Sequence, residues 1–188
     1  MVHESHLILG GARSGKSRFA LSLARARQCR TAFVATARGS DAGMTARIAR
    51  HRAERPSSWT TVEEPLAPGP ACRRLAPAAE LIVLDCATLW VANLMEAGRD
   101  DGMILAAAED LVALLDERRA SFLIVSNEVG QGIHPTTDLG LRFVDLMGRV
   151  NQRLAASCDR VTLMIAGLPV AVRAPIPLAS PVPAVDAP

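Results

Sequence analysis

The sequence predicts a three-layer α/β domain built on a mostly parallel central sheet. Short apolar runs without polar alternation recur along the chain, as strands buried on both faces require. Stretches with helical spacing separate them, which suits crossover connections between parallel strands. A glycine-rich segment also stands between the first apolar run and the first helix, where a phosphate-binding turn belongs, and it narrows the class to a P-loop NTPase (RecA-like) domain.

The elements follow in order. Residues 6–10 read as a buried strand. Residues 16–28 read as a helix with Phe19, Ala20, Leu23 and Ala24 on one face. A second strand is expected over 31–36, a short basic helix over 44–54 and a short strand over 59–62. The run LIVLD at 81–85 is a continuous apolar strand ending in an acid. Helices are expected over 88–97 and 103–119, a strand over 122–126, a long helix over 138–157 and a last strand over 161–166, about five main strands in all. Residues 1–173 make one domain. The tail 174–188 has five prolines and a single charge, Asp186, and is expected to be an extended, poorly ordered appendage.

Composition bounds the rest. A chain of 188 residues, 49% hydrophobic and 21% charged, can bury one sizeable core. No apolar run reaches the length of a membrane span, and residues 1–10, with His3, Glu4 and His6, do not read as a secretory signal. Cys29, Cys72, Cys86 and Cys158 form no C-x-x-C pair, so reduced structural thiols in a cytoplasmic protein are expected. Residues 1–60 hold 11 basic and 3 acidic side chains within a net charge of +2 overall, a bias that suits a polyanionic ligand. A nucleic-acid-binding ATPase module is disfavoured by that small net charge, 3% aromatics and the lack of Tyr.

Gly10, Gly11, Ala12, Arg13, Ser14, Gly15, Lys16 and Ser17 match G-x-x-x-x-G-K-S/T at every position. The glycines let backbone N–H groups turn inward around phosphate oxygens, and the helix N-terminus adds favourable partial charge. Lys16 is the only lysine among 21 basic residues, as expected where a compact ammonium must reach the β- and γ-phosphates and an Arg fork would not fit. The Ser17 hydroxyl and the Asp85 carboxylate, at the end of its strand, are the expected ligands of Mg²⁺. His51 stands among Arg47, Arg50, Arg52 and Arg55 with only Ile48 as a large apolar neighbour. A neutral imidazole is a competent nucleophile, and arginines around it would stabilise a leaving pyrophosphate. From these residues alone, a nucleophile and a surface histidine on a basic helix both stand.

The chain resembles the bifunctional adenosylcobinamide kinase/adenosylcobinamide-phosphate guanylyltransferases of cobalamin biosynthesis. The similar segments are GGARSGKSRFA at 10–20, FVATA at 33–37, RIARHRAERPSSWTTVEEP at 47–65, LIVLDCATLWVANLM at 81–95, VSNEVGQGIHP at 125–135 and GRVNQRLAASCDRV at 148–161. The resemblance implies two reactions. ATP or GTP phosphorylates the aminopropanol hydroxyl of adenosylcobinamide. GTP then guanylylates a histidine, here His51, and the GMP passes to the cobinamide phosphate to give adenosyl-GDP-cobinamide. It further implies nucleotide contacts at Thr36, Ala37, Arg52, Ala53, Glu54, Arg55, Glu63 and Asp85, beside the P-loop with its catalytic Lys16. A homotrimer is implied as well. Two positions depart from the family pattern: Arg50 where a second histidine is common, and Asp85 where some relatives carry Glu. Asn127, Glu128 and Gly130 are expected on the substrate side, while His3, His6 and His134 are expected to carry no role. A P-loop small-molecule kinase without guanylyl transfer is the alternative.

Overall fold

The computed structural model describes residues 3–39, 42–132 and 134–174. The tail expected to be extended therefore lies, from residue 175 onward, outside the described residues. The elements are β1 (Ser5–Gly10), α1 (Lys16–Ala26), β2 (Thr31–Ala35), α2 (Ala42–Ala53), β3 (Thr60–Glu63), α3 (Pro68–Leu75), β4 (Leu81–Asp85), α4 (Ala87–Glu96), α5 (Asp101–Asp116), β5 (Ser121–Val125), α6 (Asp138–Ser157), β6 (Arg160–Ile165) and β7 (Leu168–Arg173).

The described strands form one seven-stranded sheet in the order β3-β2-β4-β5-β1-β6-β7. All neighbours are parallel except the β6–β7 pair. Both faces are covered, which explains the unbroken apolar runs. Leu7, Ala32, Val34, Ile82, Leu84, Phe122 and Ile124 pack with residues of α3, α4, α5 and α6. Their strand neighbours turn to the other face, where Ile8, Phe33, Val83, Leu123 and Val125 meet Phe19, Ala20, Leu21 and Ala24 of α1. A period-2 strand buried on both sides has no polar face to show in the sequence.

Two elements go beyond the sequence expectations. Helix α3 begins on Pro68, Gly69 and Pro70, where no element was expected. Pro at the first helical position is compatible with a helix, and the Glu64 carboxylate accepts from the Leu66 and Ala67 amides just before it. Strand β7 carries Pro169 and lies mostly exposed at the sheet edge, so neither burial nor alternation marks it. It is reached through a tight turn in which Ala166 (φ 51°) and Gly167 (φ 85°) are both left-handed. Arg173 anchors its end by donating to the carbonyls of Ala155, Ala156 and Cys158 at the C-terminus of α6.

The parallel order has one consequence for function. The C-terminal ends of β1, β2, β3, β4 and β5 all open on the same edge of the sheet. The segments leaving them carry the phosphate loop, Thr36 and Ala37, Glu63, Asp85, and Ser126 to Glu128.

Candidate active site

The phosphate loop is shaped by what surrounds it. Gly10 (φ 149°) closes β1 where a Cβ would come within 2.6 Å of both the Met164 carbonyl oxygen and Ser14 Oγ. Gly15 (φ 93°) is the N-cap of α1 in the left-handed region. That helix has neither a side-chain cap nor an acid in its first turn, so its first amides remain available to an anion. Lys16 is buried, and its Nζ donates to the carbonyls of Gly10 at 2.8 Å and Gly11 at 2.6 Å, holding the ammonium over the loop. Ser14 Oγ is buried without a hydrogen-bond partner among the described residues. The β6–β7 turn supports the loop from outside, with the Gly167 amide donating to Ser14 O at 3.1 Å.

Beside the loop lies an open cleft of about 550 Å³, lined by Ser17, Ala35, Ala37, Ile48, His51, Arg55, Glu63, Asp85, Cys86 and Leu89. Burial raises the Asp85 carboxyl above its ordinary value, against the pull of the Ser17 hydroxyl bonded to it and of His51, Arg55 and Lys16 nearby. Ile48, His51 and Arg55 bring the basic segment to the same cleft. The Arg55 guanidinium stacks 3.9 Å from the centroid of the Phe33 ring, and its buried Nε has no hydrogen-bond partner among the described residues. Arg52 pairs with Glu63 at 3.1 Å and ties α2 to β3.

The structure thus brings together most of the residues expected from sequence. His51, Arg55, Glu63, Asp85, Ser17 and Ala37 share the cleft, with Gly10 to Lys16 alongside. Ala53 and Glu54 are exposed, and the Glu54 carbonyl accepts from Arg25. Thr36 is placed differently from a nucleotide contact. Its side chain is fully buried behind the cleft, donating to Cys86 O at 2.7 Å and accepting from Cys86 N at 2.8 Å. Ala35, Ile48, Cys86 and Leu89 also line the cleft and were not singled out from sequence. The helical spacing of Ile48 to His51 and the adjacency of Cys86 to Asp85 were the available signals. Burial, with the Asp85 charge beside it, pushes the Cys86 thiol up to about 12, so it is no nucleophile.

The Ser17 hydroxyl and Asp85 carboxylate fit Mg²⁺, a hard cation that takes one or two protein oxygens and completes its shell with phosphates and water. No cluster of three or more His, Cys, Asp or Glu among the described residues offers an all-protein metal cage.

A family model described as cobinamide kinase/cobinamide phosphate guanyltransferase matches residues 6–172. The chain belongs to this family. Relatives in the cobinamide kinase/guanyltransferase family include the bifunctional adenosylcobalamin biosynthesis protein CobP of Pseudomonas aeruginosa, 43% identical over 89% of this chain and 96% of its own. CobU of Escherichia coli and CobU of Salmonella typhimurium, both named bifunctional adenosylcobalamin biosynthesis proteins, are 36% and 37% identical, each over 89% of this chain and 98% of their own. Among solved structures, a KaiC-like protein of Pyrococcus horikoshii (TM-score 0.52, 14% identity, 86% of this chain and 71% of that one) shares the fold. So does the RadB recombinase (TM-score 0.54, 14% identity, 86% and 74%). These establish the P-loop α/β fold for this member of the cobinamide kinase/guanyltransferase family. No helix among the described residues is long and apolar enough to cross a membrane.

Proposed function

We propose that this chain carries out both reactions of its family in the one cleft beside the phosphate loop. It is a bifunctional transferase of cobalamin biosynthesis. In the kinase step the aminopropanol hydroxyl oxygen of adenosylcobinamide bonds to the γ-phosphorus of ATP or GTP, and the nucleoside diphosphate leaves. In the guanylyl step His51 attacks the α-phosphorus of GTP and pyrophosphate leaves. The phosphate of the cobinamide phosphate then displaces the imidazole to give adenosyl-GDP-cobinamide.

The observation that carries this reading is the position of His51, which lines one cleft with Asp85 and Ser17 beside the phosphate loop and lies near enough to Asp85 to act on its carboxyl. The loop amides and Lys16 bind the triphosphate, while Arg55, which lines the cleft, offers its guanidinium charge to the phosphates. The Arg52–Glu63 pair steadies the wall that carries His51. Mg²⁺, held by Ser17 and Asp85, would neutralise charge on the phosphates. The phosphoramidate divides one transfer between two anions into two easier displacements.

Four free cysteines and nucleotide substrates support a cytoplasmic enzyme. The family resemblance supports a homotrimer. Incubation with GTP and Mg²⁺ without corrinoid, followed by intact mass measurement, tests the chemistry. An acid-labile gain of one GMP that disappears in His51→Asn is expected. No adduct from protein that still binds GTP would leave a plain kinase.

A further inference from the structure

The segment leaving β5 carries a further acidic group at this edge, beyond Glu63 and Asp85, that the nucleotide side of the cleft does not use. A closed set of hydrogen bonds holds this point rigid. Ser126 Oγ, fully buried, donates to Asn151 Oδ1 at 2.7 Å, and Asn151 Nδ2 donates to Asn127 O at 3.0 Å. The Asn127 amide donates to Thr88 Oγ1 at 2.6 Å, and Thr88 Oγ1 lies 3.4 Å from Ser126 Oγ. Side chains of α4 and α6 thus fix the backbone of residues 126 and 127. Such a satisfied buried network holds one geometry and resists partial loss.

The next residue is joined to the phosphate loop. The Glu128 amide donates to Gly10 O at 3.0 Å, and this is the carbonyl that Lys16 Nζ also meets at 2.8 Å. The backbone of Glu128 is therefore tied to the same carbonyl as the ammonium that binds the terminal phosphates. Its Oε1 accepts from the Gly130 amide at 3.2 Å, which holds the side chain against its own turn. Among the described residues its Oε2 has no hydrogen bond and Glu128 makes no ion pair. The other acids at this edge are engaged: Glu63 pairs with Arg52, and Asp85 is bonded to Ser17.

We propose that Glu128 is the general base of the phosphoryl-transfer step. The inference rests on the kinase half of the function proposed above. As the acceptor hydroxyl oxygen bonds to the γ-phosphorus and the bond to the leaving diphosphate breaks, the hydroxyl proton passes to Glu128 Oε2. Solvent takes it up after product leaves. Neither guanylyl displacement needs this base, because an imidazole nitrogen attacks in the first and a phosphate anion in the second.

The test uses the full chain with Glu128→Gln and Glu128→Asp. Three quantities are read: single-turnover phosphorylation of adenosylcobinamide, GMP adduct formation from GTP alone, and GMP transfer to already phosphorylated corrinoid. Glu128→Gln is expected to slow phosphorylation about 10²–10³-fold. The KM for nucleotide stays near wild type, and adduct formation and transfer stay within about threefold. Glu128→Asp recovers part of the kinase rate. Phosphorylation within tenfold of wild type in Glu128→Gln overturns the proposal. So does a parallel loss of all three quantities with nucleotide binding, which marks a structural role. Absence of the adduct from the wild-type protein sinks the guanylyl reading instead, and the kinase ratio still decides for or against Glu128.

Discussion

Thr36→Val removes one hydroxyl from a fully buried site while keeping the shape of the side chain. That hydroxyl both donates to Cys86 O and accepts from Cys86 N, so the variant strands a carbonyl and an amide of the same residue. A buried polar group that loses its partner costs about 1–3 kcal/mol. Two such groups, on a residue that borders the cleft and gains some water, put the loss at about 2–4 kcal/mol. The surroundings transmit the effect to the site. The Thr36 amide donates to Asp85 O at 3.1 Å, and Asn93 Nδ2 bridges Thr36 O at 2.8 Å and Pro65 O at 3.0 Å. The hydroxyl therefore locks the turn that aims Asp85, and the Mg²⁺ concentration for half-maximal GMP adduct formation should rise about tenfold, equivalent to ~1.4 kcal/mol. Urea unfolding and a Mg²⁺ titration of the adduct rate measure the two effects, and Thr36→Ser should recover most of both. A variant within about 1 kcal/mol of wild type, with unchanged Mg²⁺ dependence, would refute the role of Thr36 as a brace for Cys86.

Lys16→Ala should slow both phosphorylation and guanylylation by at least about 10²-fold, because it removes the cation from the phosphate loop; retention of either activity in a rapid-quench assay would show that the two steps use separate nucleotide sites. His6 gives a pH signature on the strand leading into that loop. Burial, then Arg160 and Arg27, lowers its pKa from 6.5 to about 4, and its Nε2 lies 2.8 Å from Thr162 Oγ1. A histidine depressed in the folded state contributes stability above pH 6.5 that is lost as pH falls toward 4, because the unfolded chain takes up the proton first. Between pH 7.5 and 5 the loss comes to about 2 kcal/mol, and denaturant unfolding of His6→Gln over the same range should be flatter by that amount. Parallel curves would show that His6 is not held neutral in the fold.

Much of this protein was legible before any coordinates. Unbroken apolar runs separated by helical stretches announce a parallel sheet covered on both faces, and residues 81–85 and 138–157 form their elements at the predicted bounds. The phosphate loop is equally local, since eight consecutive residues carry its turn, its helix N-terminus and its lysine. Helix α3 and strand β7 escaped because a proline pair and an exposed edge leave no periodic trace.

By itself, then, the sequence determined the fold class, the phosphate loop and the identity of the candidate chemical groups, because these depend on spacing within single segments. Tertiary structure decided what those groups face. His51 and Asp85 line one cleft, Thr36 turns from a nucleotide contact into a brace for Cys86, and the Glu128 amide shares the Gly10 carbonyl with Lys16. Each of these relations joins residues far apart in the chain. Their distance is set by the order in which parallel strands lie side by side, and no local pattern of apolar and polar residues encodes that order.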